Sequence, residues 1–225
     1  MSLARPPSCY DGAPNRYLLR RGACLWRVHS CGYAARDFNP TGSHMLYGGG
    51  RFDATDADRY PYLYAGLSEE TALAETLLRD LHPDDRGYRA VPRVAVCDRQ
   101  ISGLILIEDL TLVSLINAAD LAAIGQDTWL VTTSGRDYPQ TRDWAHWLRR
   151  QARWAHGFVW DSLRDRGSQT VVLFGDRLAA DFGADYEKTL LYEITELAVD
   201  LGDAAGAAWI NERLRHYRAV VPPPP

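Results

Sequence analysis

The order of the local segments limits the fold more than any other feature of this chain. Stretches of strand character recur at 24–29, 61–66, 93–97, 103–107, 111–115, 157–162 and 169–174. Each is of ordinary strand length and is rich in β-branched, aromatic or alternating apolar residues. Helical spacing is confined to 68–81, 118–125, 140–156 and 204–217. The two kinds of segment do not alternate one for one. A doubly wound parallel sheet requires that alternation, so the order predicts a mixed α+β domain. Two stretches leave their state open: 128–133 reads as a strand or as the lead into a loop, and 186–201 as helix or strand.

At 225 residues the chain is long enough for one or two compact domains with a core that needs no staples. No internal repeat and no convincing linker divides it. Residues 1–23 are rich in Pro and Arg and read as an irregular leader; 24–218 reads as one domain; 219–225 reads as a proline-rich tail. Hydrophobic residues make up 46% and charged residues 24%, which excludes wholesale disorder. Apolar runs stop at about five residues, so no membrane helix is expected. The N-terminus carries no apolar core of a secretory signal. Cys9, Cys24, Cys31 and Cys97 are few and irregularly spaced, which points to a reducing, cytoplasmic setting and matches no zinc pattern.

The net charge is −4, which gives no reason to expect a nucleic-acid protein. Lys188 is the only lysine among 25 basic residues, so the rest are arginines. Genomic base composition accounts for such a bias. It also leaves room for a few arginines whose planar forks recognise phosphate or carboxylate.

The usual strong motifs are missing. There is no phosphate-binding Gly-x-x-x-x-Gly-Lys-Ser/Thr loop, no Gly-x-Gly-x-x-Gly after a strand, no His-Glu-x-x-His and no Gly-x-Ser-x-Gly elbow. The six histidines are scattered, and no metal site is expected. What remains lies mostly in residues 27–75. Arg27 sits in the first strand. The stretch 37–59 is full of Gly, Asn, Pro and Asp, and a loop that long in a compact domain is usually functional or disordered. Within it Arg51 follows three glycines, which let the backbone approach other groups closely. Tyr62 and Tyr64 share one side of the strand at 61–66. Ser68 then has the character of an N-cap, with Glu69 and Glu70 in the first turn. Leu73, Ala74, Leu77, Leu78 and Leu81 form one apolar stripe. Glu75 falls about 120° from the centre of that stripe, at the edge of the core face. Taken singly, Arg27 and Arg51 read equally well as surface charges, Tyr64 as core, Glu75 as a solvated helix residue and Ser162 as a turn residue at a strand end.

Taken in order, they carry a resemblance. Leu25-Trp-Arg-Val-His29, then Gly-Gly-Arg51-Phe52, then Tyr62-Leu-Tyr-Ala-Gly66, then Glu70-Thr-Ala-Leu-Ala-Glu75-Thr76 resemble the RES domain, a family named for its arginine, glutamate and serine. The segment Gly157-Phe-Val-Trp-Asp-Ser162-Leu-Arg-Asp-Arg-Gly, followed by 170–174, is similar to the serine motif of that family. The likeness is clearest over 24–178.

The resemblance implies an ADP-ribosyltransferase-like fold, with mixed, mainly antiparallel sheets and flanking helices. It implies a toxin-like enzyme that consumes NAD+ at the nicotinamide–ribose bond by hydrolysis or, with inorganic phosphate as co-substrate, by phosphorolysis. Protein ADP-ribosylation is the alternative within that chemistry, and a non-catalytic NAD- or ADP-ribose-binding module the alternative outside it. The implied partner is an Xre-like antitoxin, with a homo-oligomer also open. By motif position, Glu75, Arg51 and Tyr64 would be catalytic, and Arg27, Arg51, Tyr64 and Ser162 would bind the dinucleotide. Arg27 and Arg51 would clamp its pyrophosphate, Tyr64 would stack on the nicotinamide, and Ser162 would offer a hydroxyl to phosphate or ribose. The extra N- and C-terminal segments, compared with the shortest toxins, leave room for pocket shielding, an oligomer interface or a partner site.

Overall fold

The computed structural model of the protein describes residues 5–79 and 81–223. The strands are β1 (Arg16–Leu19), β2 (Cys24–Ser30), β3 (Tyr62–Gly66), β4 (Arg89–Ala90), β5 (Arg99–Leu106), β6 (Leu110–Leu115), β7 (Gly157–Asp161), β8 (Gln169–Phe174), β9 (Leu191–Asp200) and β10 (Ala219–Val220). The helices are α1 (Glu69–Leu77), α2 (Ala118–Ala123), α3 (Trp129–Thr132), α4 (Tyr138–Gln151), α5 (Gly175–Phe182), α6 (Tyr186–Leu190) and α7 (Ala204–Arg213). Eight strands form one sheet in the order β1-β6-β7-β8-β3-β2-β5-β9, while β10 and β4 form a small parallel pair. Within the large sheet only β6 and β7 run parallel. The architecture is therefore mixed α+β and mainly antiparallel, as the segment order implies.

Three apolar clusters hold the layers. Phe52, Trp144, Phe158, Trp160 and Phe174 pack between one face of the sheet and α4. Leu63, Val159, Val171 and Leu173 belong to the cluster on the opposite face, with Leu178 of α5 and Leu190 of α6. The alternation along β8 explains the division, since Val172 and Phe174 face one way and Val171 and Leu173 the other. The third cluster joins Leu73, Ala74 and Leu77 of α1 to Ile101 of β5 and Ile210 of α7. The predicted apolar stripe of α1 is thus its packing face.

Several local expectations need correction. The leader is not irregular throughout. Arg16–Leu19 pairs antiparallel with β6, because Tyr17 and Leu19 alternate onto the second cluster, and Tyr10 packs edge-on against Trp147. Residues 1–4 of that leader lie outside the described residues. The segment 93–97 is no strand: Arg93–Ala95 is a 3-10 turn with Val94 exposed, only Val96 being buried. Within 128–133 the chain forms the short helix α3, a case where a brief apolar run does not reveal its period. The stretch 186–201 is both things, α6 followed by β9. The helix expected over 68–81 ends at Leu77, where the N–H of Leu78 closes on Ala74; Asp80 lies outside the described residues. The tail is not free from residue 219: β10 pairs with β4, and Val221 is fully buried. Pro224 and Pro225 lie outside the described residues.

Candidate active site

The large sheet opens between β2 and β3. Strand β2 runs beside β5 along its whole length, and β3 beside β8, yet β2 and β3 meet only at Trp26–Gly66. Beyond that pair the strands diverge, and a cavity of about 220 Å³ lies in the opening. Gly66 is required at the hinge point. A Cβ there would stand 2.6 Å from the backbone nitrogen of Ala72, where the start of α1 packs across the strand.

All of the expected residues except Ser162 line this cavity: Arg27 from β2, Tyr64 from β3, Glu75 from α1 and Arg51 from the long loop. Ser162 stands behind Glu75. Its Oγ donates to Glu75 Oε1 at 2.5 Å and accepts the backbone N–H groups of Asp165 (2.9 Å) and Arg164 (3.1 Å). One donor and two acceptor sites are all that a hydroxyl offers. Ser162 is also fully buried. Its expected role as a hydroxyl for phosphate or ribose therefore gives way to another: it fixes the carboxylate of Glu75. Helix α1 supplies the other half of that fixation, with Ser68 Oγ capping the N–H of Thr71 as expected. Glu75 Oε2 has no protein donor among the described residues.

Arg51 is only 7% exposed. Its Nη1 donates to the Leu130 carbonyl at 3.1 Å, and its guanidinium lies 5.1 Å from the centre of the Tyr138 ring. Burial lowers its pKa from the ordinary arginine value, partly offset by Tyr138, Glu75 and Tyr64. The loop that carries it is cross-linked by side chains with no local motif to mark them. Asp53 accepts from Ser43 Oγ (2.6 Å), the Gly50 N–H (2.6 Å) and Tyr64 Oη (2.9 Å). Arg142, 1% exposed, donates to the carbonyls of His44 (2.8 Å), Gly48 (2.7 Å) and Gly50 (3.3 Å). Thr141 Oγ1 donates to the Arg51 carbonyl at 2.7 Å. Gly50 has no room for a side chain, since a Cβ would meet Asp53 Oδ1 at 2.4 Å.

The hydroxyl of Tyr64 belongs to this bracing. It donates to Asp53 and accepts the Phe52 N–H at 2.8 Å, and burial raises its pKa well above the ordinary tyrosine value. Its ring lines the cavity, edge-on to Tyr62 and Trp160. Arg27 donates from Nη1 to the carbonyls of Ala35 (2.7 Å) and Asp37 (2.6 Å). Burial lowers its pKa to about 10, so it stays charged at neutral pH.

Two further residues, neither of them a candidate from the sequence, line the cavity. Arg79 sits one turn beyond Glu75 and places its guanidinium 5.9 Å from the Tyr138 ring, beside that of Arg51. Thr170 on β8 is 4% exposed, and its Oγ1 has no partner. A buried hydroxyl left so costs roughly 1–3 kcal/mol, and the cavity is where Thr170 reaches open space. Spacing of four residues from Glu75 is the one clue that would have drawn attention to Arg79.

Arg27, Arg51 and Arg79 thus share the cavity with one carboxylate, Glu75, and none is ion-paired among the described residues. The arrangement attracts an anion and can set a carboxylate beside a developing positive charge. Among the described residues no group of His, Cys, Asp and Glu is placed to hold a metal ion, and no helix is long and apolar enough to cross a membrane.

Fold and site together define a class: a mixed α+β protein with a split antiparallel sheet, arginines in the split and a helix-borne carboxylate beside them. The sequence profile of the RES domain matches residues 24–195, and the chain belongs to that family. No curated protein sequence matches it. Among solved structures, a chain of the M. tuberculosis MbcT–MbcA toxin–antitoxin complex superposes with a TM-score of 0.54 at 14% identity, covering 87% of this chain and 91% of that one. At that identity the likeness is one of fold. The profile runs past residue 178 into β9, so α5 and α6 belong to the shared domain.

Proposed function

We propose that this protein is a toxin-like, ADP-ribosyltransferase-related enzyme that breaks the nicotinamide–ribose bond of NAD+. One observation carries the reading. The cavity brings guanidinium groups that are not ion-paired to the same space as a carboxylate that Ser162 holds by one oxygen, leaving the other without a protein donor among the described residues. A diphosphate suits the arginine forks. The bond from the ribose anomeric carbon to the pyridinium nitrogen breaks, its electron pair neutralises the ring, and nicotinamide leaves without needing a proton. The ribose becomes cationic in character, and Glu75 stabilises that charge as carboxylates do in glycosidases. The ring of Tyr64 offers a face to the cationic base. An oxygen of water or inorganic phosphate then bonds to the same carbon. Water gives up one proton to solvent in the process. Membership in the RES family supports a cytoplasmic toxin neutralised by an Xre-like antitoxin, and the complex in which the structural neighbour was solved supports a protein partner of that kind.

Incubating purified protein with NAD+, with and without phosphate, and weighing the products tests the reading. Free ADP-ribose identifies hydrolysis, and ADP-ribose-1″-phosphate formed only with phosphate identifies phosphorolysis. Intact NAD+ in both, from folded protein, overturns cleavage and favours protein transfer or simple binding. Arg51→Ala is expected to raise the KM for NAD+ at least tenfold, and an unchanged KM removes Arg51 from the anion clamp.

A further inference from the structure

A second cavity, of about 370 Å³, adjoins the first. The two share Arg27, Val28 and Asn39 as a common wall, and Glu75 lines only the first. Alone, the first cavity falls below the roughly 300–1,000 Å³ usual for small-molecule sites; the two together reach that range.

The second chamber has the makings of a base site. Val28, Phe38 and Pro40 give it apolar walls. Tyr33 stands at its rim with 67% of its surface exposed, and its ring stacks on no other ring among the described residues. An exposed aromatic face beside an apolar pocket is the usual platform for a purine. Arg27, at the junction, uses Nη1 on two carbonyls, and its remaining N–H groups have no protein acceptor among the described residues.

We infer that the second chamber binds the adenosine half of the dinucleotide, with the base against Tyr33 and the diphosphate passing over Arg27 into the cavity of Glu75. The inference rests on the proposed NAD+ chemistry. The orientation follows from one fact: the reacting ribose has to lie beside Glu75, so the other nucleoside occupies the chamber that Glu75 does not reach. Two chambers joined at an arginine match two nucleosides joined at a diphosphate.

Calorimetric titration with AMP and with nicotinamide mononucleotide tests this on the full-length protein. Tyr33→Ala removes an exposed ring and leaves the core intact. Thr41→Trp fills the chamber from its wall; only the backbone N–H and carbonyl of Thr41 are engaged, with Asn39 and Tyr62. The expected result is that the affinity for AMP, relative to that for nicotinamide mononucleotide, falls about tenfold in Tyr33→Ala, the size of one lost base-stacking contact, and further in Thr41→Trp. AMP that fails to bind the folded wild-type protein, or binds both variants as it binds wild type, overturns the inference. NAD+ turnover is measured alongside. AMP binding that responds to the variants without any turnover supports the chamber and overturns cleavage. Turnover with AMP binding indifferent to the variants does the reverse.

Discussion

Two walls of the cavity do the same task by different means. Helix α1 delivers Glu75 through repeating geometry: an N-cap at Ser68, an apolar face of Leu73, Ala74 and Leu77, and hydrogen bonds to Glu75 Oε1 from Ser162 Oγ and, at 3.3 Å, the Arg164 N–H. The loop of residues 37–59 delivers Arg51 with almost no regular structure, only isolated bridges at Asn39–Tyr62 and Thr55–Asp58. Its backbone groups have to be satisfied by side chains instead, and Asp53, Tyr64, Thr141 and Arg142 do so. A helix spreads its stability over many small contacts. A loop of this kind concentrates it in a few buried polar groups, where a single lost partner leaves several groups unsatisfied.

The helix wall is the place to break chemistry without breaking structure. Glu75→Gln keeps the shape and the bond from Ser162 but removes the charge. Turnover of NAD+ is expected to fall 100-fold or more, the scale of losing one transition-state stabiliser, while the dissociation constant for NAD+ changes by less than about threefold. Steady-state kinetics and a binding titration separate the two, and turnover within tenfold of wild type removes Glu75 from the reaction.

The loop wall is the place where structure itself gives. Arg142→Met leaves the carbonyls of His44, Gly48 and Gly50 without their buried donor. A loss of about 3 kcal/mol in unfolding free energy is expected, together with a raised KM as Arg51 loses its register. Urea denaturation read by fluorescence measures the first. A change below about 1 kcal/mol shows that the loop does not depend on this anchor.

The same contrast decides what could be read from the sequence. The strand at 61–66, the cap at Ser68 and the stripe of α1 follow periodic rules, and the structure keeps them. The position of Glu75 at the edge of that stripe followed from the helical wheel alone. Arg142 was not legible, because its role depends on partners far off in sequence: it lies 98 residues from His44. Asp53 has near partners, in Ser43, Gly50 and Tyr64, but they meet it through an irregular loop that has no period to read, and Thr170 is one polar residue in a strand with no side-chain partner. Ser162 was legible as a site residue only through its motif. Its place behind Glu75 rests on a bond that spans 87 residues, which no local pattern shows. The edge strand β1 was lost for a similar reason, since four residues with one buried leucine make a weak local pattern.

Ser162→Ala sharpens the comparison from the helix side. It removes one charge-assisted bond and leaves α1 packed. The expected result is a fall of roughly tenfold in kcat, corresponding to about 1.5 kcal/mol, with KM nearly unchanged because Ser162 is fully buried and does not line the cavity. A rise in KM with kcat preserved makes Ser162 a binding residue after all, in line with the motif-based expectation.

The smallest effect is a pH dependence that tells the β2 side of the cavity from the side of α4 behind the loop. His29 on β2 and His146 on α4 both titrate below the ordinary histidine value, chiefly because burial disfavours their charged forms. Below pH 6.5 the unfolded chain binds protons at these positions that the folded chain does not, so stability falls as the pH drops through that value and levels off once the folded-state histidines protonate as well. His29 keeps both ring nitrogens bonded, to the Ser30 carbonyl and to Ser102 Oγ. His146, which stands behind the braced loop, has a buried Nε2 with no partner. The thermal midpoint is therefore expected to fall between pH 7.5 and pH 5. Asp58 and Asp143 face the His146 ring and Arg27 faces that of His29. His146→Gln is nevertheless expected to remove more of that fall than His29→Gln, because protonation puts a buried N–H with no acceptor at Nε2 of His146. Equal falls in both variants and in wild type show that acid acts through neither histidine, and a larger rescue by His29→Gln places the acid-sensitive side at β2 rather than behind the loop.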